Sequence, residues 1–180
     1  MTGARPGTAP PDTTPRAPGG APAVNEPPPG AVTATIQLRW ADTDQYGHVN
    51  NVTWLRYVEE ARARTFGFSD QPEAANPTRP PVLAVLGPDT FTMTAAVRME
   101  YIGELAYHAQ SIVADVWLSR IGSKSIDMAF RFTDEARTTT YVLAQVTQVV
   151  CDMATRRPRA LTEAEREALQ PYCGNPLTFR

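Results

Sequence analysis

The chain has 180 residues, 42% of them apolar and 20% charged, with a formal net charge of −2 and a pI near 5.7. This length suits one domain, and the composition is that of a soluble globular protein with no general attraction to nucleic acid. No run approaches the ~20 apolar residues that cross a bilayer and the N-terminus has no apolar signal core, so neither a membrane nor export is expected and the cytoplasm is the expected compartment.

The first thirty residues hold nine prolines (positions 6, 10, 11, 15, 18, 22, 27, 28 and 29) and five glycines (3, 7, 19, 20 and 30). Such a segment buries too little apolar surface to offset its ordering entropy, so residues 1–32 are expected to be a disordered tail. Order begins at TATIQLRW, 33–40, where Ile36, Leu38 and Trp40 alternate with Thr35, Gln37 and Arg39 in the period of a half-buried strand. The polar stretch DTDQYGHVNN, 42–51, follows, and then the period changes. From Val52 to about Phe66, Trp54, Tyr57, Val58, Ala61 and Thr65 share one helical face. Asn50 or Asn51 can cap this helix, Glu60 and Arg64 form an i,i+4 pair, and Gly67 can stop it.

A proline-rich connection, PEAANPTRPP at 72–81, leads to a strand over 91–101 in which Phe91, Met93, Ala95, Val97, Met99 and Tyr101 alternate. Strands are expected at about 110–121, 125–134 and 139–152, joined by hairpin turns at Gly122-Ser123 and Asp134–Arg137. Thr162 and Glu165 form the capping box of a short helix ending near Gln170. The expected architecture is α+β: an antiparallel meander of about five strands with one long helix covering a face. Residues 33–155 would form this domain and 156–180 a C-terminal extension. Its open sheet edges would be closed by pairing with a second copy, giving a homodimer or a dimer of dimers.

Residues 42–62, DTDQYGHVNNVTWLRYVEEAR, closely resemble the start of the central helix in hot-dog-fold acyl-CoA thioesterases of the 4-hydroxybenzoyl-CoA thioesterase type. The likeness continues in MEYI at 99–102, IGSKSI at 121–126 and VVCD at 149–152, so it spans roughly residues 33–155. The resemblance implies a five-stranded sheet wrapped around one long central helix. It implies a thioester substrate, on coenzyme A or a carrier protein, bound between two subunits of a dimer or tetramer, with no cofactor. The reacting carboxylate corresponds to Asp44, and the backbone N–H that polarises the thioester carbonyl corresponds to Asn51. Gly47, Asn50, Trp54, Tyr57, Ser123 and Lys124 are the expected substrate-binding positions.

The residues suit that chemistry. Asp44 can activate a water as general base or attack as a carboxylate nucleophile, and the sequence leaves both open. A helix N-terminus offers unpaired N–H donors to a developing oxyanion, and Gly47 lets the loop turn tightly. Asp42 reads as a residue that supports the turn. His48 has three available roles: orienting Asp44, hydrogen-bonding the thioester, or packing at the helix start. Asp42, Asp44 and His48 lack a metal-ligand spacing, and His108 is the only other histidine, so no metal is expected.

Ser123 and Lys124 can reach nucleotide phosphates, as can Arg120 or the Arg156, Arg157, Arg159 group. Cys151 has no evident base beside it, and the two cysteines form no disulfide framework. Two other functions fit the same fold. An Asp44/His48 acid–base pair would make a hydratase or dehydratase of enoyl or hydroxyacyl thioesters. A module without turnover would bind an acyl thioester as a sensor or structural partner.

Overall fold

Residues 25–67, 82–107 and 111–180 are described by the computed structural model. Residues 1–24, and with them most of the expected tail, lie outside the described residues, as do the connection at 72–81 and His108. Among the described residues, no helix is long and apolar enough to cross a membrane.

The first alternating stretch forms strand β1, Val32–Gln37, with Val32, Ala34 and Ile36 buried and Thr33, Thr35 and Gln37 exposed. Helix α1, Asn51–Thr65, begins where Asn50 Oδ1 accepts the Val52 N–H at 2.9 Å. Its apolar stripe buries Trp54, Tyr57, Val58, Ala61 and Thr65. Gly67 ends it in the left-handed region, φ +67°, with its N–H donated to Arg62 O at 3.1 Å. The Glu60–Arg64 pair forms at 2.6 Å.

Four further strands follow: β2, Thr90–Tyr101; β3, Ser111–Ile121; β4, Ser125–Thr133; and β5, Thr140–Asp152. All pairings are antiparallel in the order β1-β3-β4-β5-β2. The expected meander therefore holds only for β3, β4 and β5. β2 lies at the far edge, paired with β5 and not with β3. The alternation of β2 consequently does not bury one face. Met93, Val97 and Tyr101 are 51%, 39% and 46% exposed, since α1 packs chiefly against β1 and β3 and touches this edge at Tyr101, whose hydroxyl reaches Asn51 O.

Ile126, Met128, Phe130 and Phe132 of β4 meet α1 in the main core, where the Trp54 and Phe132 rings cross edge-to-face at 5.5 Å. The opposite sheet face has its own cluster of Trp117, Ala129, Leu143 and Leu177, with Ala31 and Phe179 packed against it. Residues 173–180 run across this face: Trp117 Nε1 donates to Asn175 O at 2.9 Å, and Phe179 lies 4.2 Å from the Arg98 guanidinium.

This strap corrects the extent of the expected tail. Asn25 exchanges two hydrogen bonds with the Thr178 backbone, at 2.7 and 3.1 Å, and Glu26 pairs with Arg131 at 2.9 Å. Residues 25–31 have no core of their own. They are ordered by an apolar sheet face that needs cover. Helix α2, Glu163–Leu169, carries the expected capping box, and its Leu169 is buried in the main core.

Candidate active site

After β1 the chain makes one 3-10 turn, Trp40–Asp42, which drops the Asp42 side chain into the interior. Asp42 Oδ2 accepts the Arg39 N–H at 3.0 Å and the Tyr57 hydroxyl at 2.7 Å, while its carbonyl accepts the Asn50 N–H at 2.9 Å. The two ends of the loop are thereby tied together and to the second turn of α1. Burial and the bond to Asp42 both push the Tyr57 phenol above its ordinary range, so it stays a donor.

Between these ties the loop is a miniature hairpin. Thr43 and Val49 form an antiparallel bridge, and Asp44 N–H donates to His48 O at 2.8 Å. Gly47 turns the chain at φ +78°, donating to Asp44 O at 3.1 Å. The side chain of Asp44 serves the same turn. Its Oδ1 accepts from Tyr46 N at 2.8 Å and His48 N at 3.2 Å, while Oδ2 has no partner among the described residues.

The facing wall comes from the end of β2 and the segment after it. Val49 N–H donates to Leu105 O at 2.8 Å, Tyr107 N–H to Gly47 O at 3.2 Å, and His48 bridges Ala106. Tyr101 donates its hydroxyl to Asn51 O at 3.3 Å, and His48 Nε2 lies 3.6 Å from Glu104 Oε2. These walls enclose a cavity of about 250 Å³, lined by Asp44, His48, Val49, Asn51 and Trp54 on one side and residues 101–105 on the other. Val49, Trp54 and Leu105 are buried and apolar. Asp44, His48, Asn51 and Glu104 supply its polar groups.

The start of α1 adds a donor. Asn50 takes the Val52 N–H on its side chain at 2.9 Å and the Thr53 N–H on its carbonyl at 2.9 Å. The Asn51 N–H has no partner among the described residues, so an unsatisfied helix N-terminal donor and the Asp44 carboxylate belong to residues lining one cavity.

Of the positions expected from sequence, Asp44, His48, Asn51 and Trp54 are brought together. Gly47 and Asn50 shape the turn and cap the helix without lining the cavity. Tyr57 points away to Asp42, because a buried phenol needs an acceptor and finds one there. Ser123 and Lys124 lie in the β3–β4 hairpin, where their carbonyls accept from Leu161 and Val150 at 2.9 and 2.8 Å. The nearby arginines are engaged: Arg120 by Asp127 at 2.6 Å, Arg159 by Glu165 at 2.6 Å, and Arg156 over the Phe91 ring at 4.2 Å.

Tyr101 and Glu104 are cavity residues that the sequence pattern did not single out. Tyr101 reads there as the last member of an alternating strand, and nothing local shows that the strand end returns to the helix start. Among the described residues, no group of three or more His, Cys, Asp or Glu side chains could hold a metal ion.

The sequence profile of the Thioesterase-like superfamily matches residues 38–169. No curated protein sequence matches the chain. Its fold is shared by solved structures, among them a predicted thioesterase from Bacillus stearothermophilus (TM-score 0.64, 19% identity, covering 81% of this chain and 98% of that one). A thioesterase-superfamily protein from Jannaschia sp. CCS1 gives 0.64 at 15% identity, covering 84% and 99%. A thioesterase from Thermus thermophilus, complexed with coenzyme A and Zn, gives 0.57 at 23% identity, covering 77% and 97%. At these identities the likeness is one of fold.

Proposed function

The chain belongs to the thioesterase-like superfamily, and from that premise we propose that it hydrolyses acyl-CoA thioesters to free acid and coenzyme A. The observation that carries this reading is that two groups without a partner among the described residues, Asp44 Oδ2 and the Asn51 N–H, belong to residues lining one cavity. The first suits delivery of the attacking oxygen. The second suits the carbonyl oxygen as it becomes negative.

In the general-base route, Asp44 takes a proton from a water that attacks the thioester carbon. The tetrahedral oxyanion rests on the Asn51 N–H, and its collapse breaks the C–S bond and expels the thiolate. In the nucleophilic route, Oδ2 attacks the carbon itself, the thiolate leaves, and water hydrolyses the mixed anhydride. Both use the same geometry. Oδ1, held by the Tyr46 and His48 amides, fixes the carboxylate plane while Oδ2 does the work. Neither route calls for a cofactor.

Within the superfamily, the resemblance of residues 42–62 supports a reading as the 4-hydroxybenzoyl-CoA thioesterase type, a hot-dog sheet wrapped around a central helix. The coenzyme A held by the Thermus thermophilus neighbour supports a CoA ester over other thioesters. The exposed apolar residues Met93, Val97 and Tyr101 on the β2 edge favour pairing with a second copy, which would also close the substrate cleft.

The hydratase alternative needs an Asp44/His48 acid–base pair. The His48 imidazole lies beside Glu104 instead, and it is the His48 backbone, through its N–H and its carbonyl, that meets Asp44. A thiol-release screen over short, long, branched and aryl acyl-CoAs tests the proposal, and release from at least one class is expected. Hydration of crotonyl-CoA without free thiol would select the hydratase, and tight binding with no turnover the non-catalytic module.

A further inference from the structure

We propose that Asp42 and Tyr57 are positioning residues whose buried hydrogen bond sets the separation between the Asp44 carboxylate and the N-terminus of α1. The inference rests on the thioesterase reading above. Asp42 is 8% exposed and Tyr57 3%. A carboxylate at that depth costs several kcal/mol unless its oxygens are satisfied. Here Oδ2 receives the Tyr57 hydroxyl at 2.7 Å and the Arg39 N–H at 3.0 Å.

What these bonds join is more telling than their strength. Arg39 belongs to the exit from β1, and Tyr57 to the second turn of α1. The carbonyl of Asp42 meanwhile accepts Asn50 N–H at 2.9 Å, immediately before Asn51, and the Thr53 hydroxyl at 3.4 Å. One residue thus holds the strand exit, the helix start and the helix body. The Asp44 hairpin stands on that anchor, closed by the Thr43–Val49 bridge and the Asp44 N–H to His48 O bond.

An apolar pair of similar volume would fill the same space. It would not fix a distance, because apolar contact is non-directional whereas hydrogen bonds fall off steeply with angle. The distance matters, since a misplacement of about 1 Å at a reacting centre can cost about a hundredfold in rate. The two aspartates of DTD therefore divide the work: Asp42 sets the frame, and Asp44 meets the substrate.

The test uses Tyr57→Phe, Asp42→Ala and Asp42→Asn in the full chain. It measures kcat, KM, affinity for a non-hydrolysable thioether analogue of the best acyl-CoA substrate, and amide exchange at Asp44 and Asn50. For Tyr57→Phe, kcat should fall about tenfold with analogue affinity within about twofold, a split expected when orientation and not binding is lost. Exchange at both amides should quicken. Asp42→Asn, which keeps an acceptor oxygen, should recover most of the kcat lost in Asp42→Ala.

Wild-type kcat and exchange in a folded Tyr57→Phe protein would overturn the proposal. So would a kcat loss matched by the loss of folded fraction. If Asp42→Ala does not fold, Tyr57→Phe decides alone. A wild-type protein that releases no thiol would instead remove the thioesterase reading, and amide exchange would still report whether the clamp holds the loop.

Discussion

His48 meets Asp44 through its backbone, its N–H lying 3.2 Å from Asp44 Oδ1, while its imidazole Nε2 sits 3.6 Å from Glu104 Oε2. The most conspicuous side chain of the loop thus takes no direct part in holding the carboxylate. Its backbone does that.

The first prediction follows. His48→Ala keeps the backbone bond to Asp44 and loses a partly exposed contact with Glu104, of a kind worth at most about 1 kcal/mol. Steady-state kinetics should show kcat reduced by less than about tenfold, in keeping with that small energy. A loss as large as that of an Asp44 variant would make the imidazole a proton-transfer group.

Gly47 is held at φ +78°, and a Cβ built there meets nothing within 4 Å. Its replacement is therefore a backbone problem without a clash. Gly47→Ala should lower stability in urea denaturation by about 1–2 kcal/mol, the cost of the left-handed region for a residue with a Cβ. Gly47→Asn should cost less, because asparagine tolerates that region better. Equal losses for the two would show that side-chain space and not φ is limiting.

Leu177 closes the strap over Trp117 and Leu143 and is 7% exposed. Leu177→Ala should destabilise the protein by about 2–4 kcal/mol, the range for emptying a buried leucine site. The cluster lies across the sheet from the cavity, so kcat should stay at the wild-type value. Chemical denaturation and the thiol-release assay check the two halves separately.

Acid should weaken the C-terminal helix first through Glu165. Burial alone would raise this carboxyl, but the Arg159 hydrogen bond and the Thr162 N–H outweigh it and hold it below its ordinary value. A folded-state pKa lower than the unfolded one means stability that is complete above the unfolded pKa, about 4.3, and is lost as pH falls through the folded pKa. Denaturation measured from pH 6 down to pH 3 should show this loss. Glu165→Gln should be less stable at pH 6 and should lose less over that range.

Local signals made much of the fold legible. The alternation at Ile36 and along β4, the α1 stripe through Trp54, Tyr57 and Val58, and the Thr162–Glu165 capping box each concern neighbours within a turn or a strand. The place of β2 was not legible, because alternation marks a strand without naming its neighbour, and the pairing with β5 joins segments about fifty residues apart. Residues 25–31 are illegible for a related reason: a proline-rich segment has no core of its own, and its contacts are with Thr178, Arg131 and the Trp117 cluster far along the chain. At the cavity, the nearness of Asp44 to Asn51 was readable, because a short loop runs from one into the helix that starts at the other. Tyr101 and Glu104 were not, since they arrive from a strand end that only the folded chain brings near. The resemblance makes Tyr57 a substrate position, and only the folded chain reveals the buried Asp42 carboxylate as its partner.

The central claim is that the Asp44 carboxylate carries the reaction, and Asp44→Asn tests it most directly. Asparagine can still accept the Tyr46 and His48 N–H groups, so the turn and the fold should survive, as circular dichroism and thermal unfolding would report. With the most active acyl-CoA of the panel, thiol release should fall about 10²–10⁴-fold, the range for loss of a general base, while KM changes little. A folded Asp44→Asn protein that hydrolyses the same substrate at the wild-type rate would contradict the account.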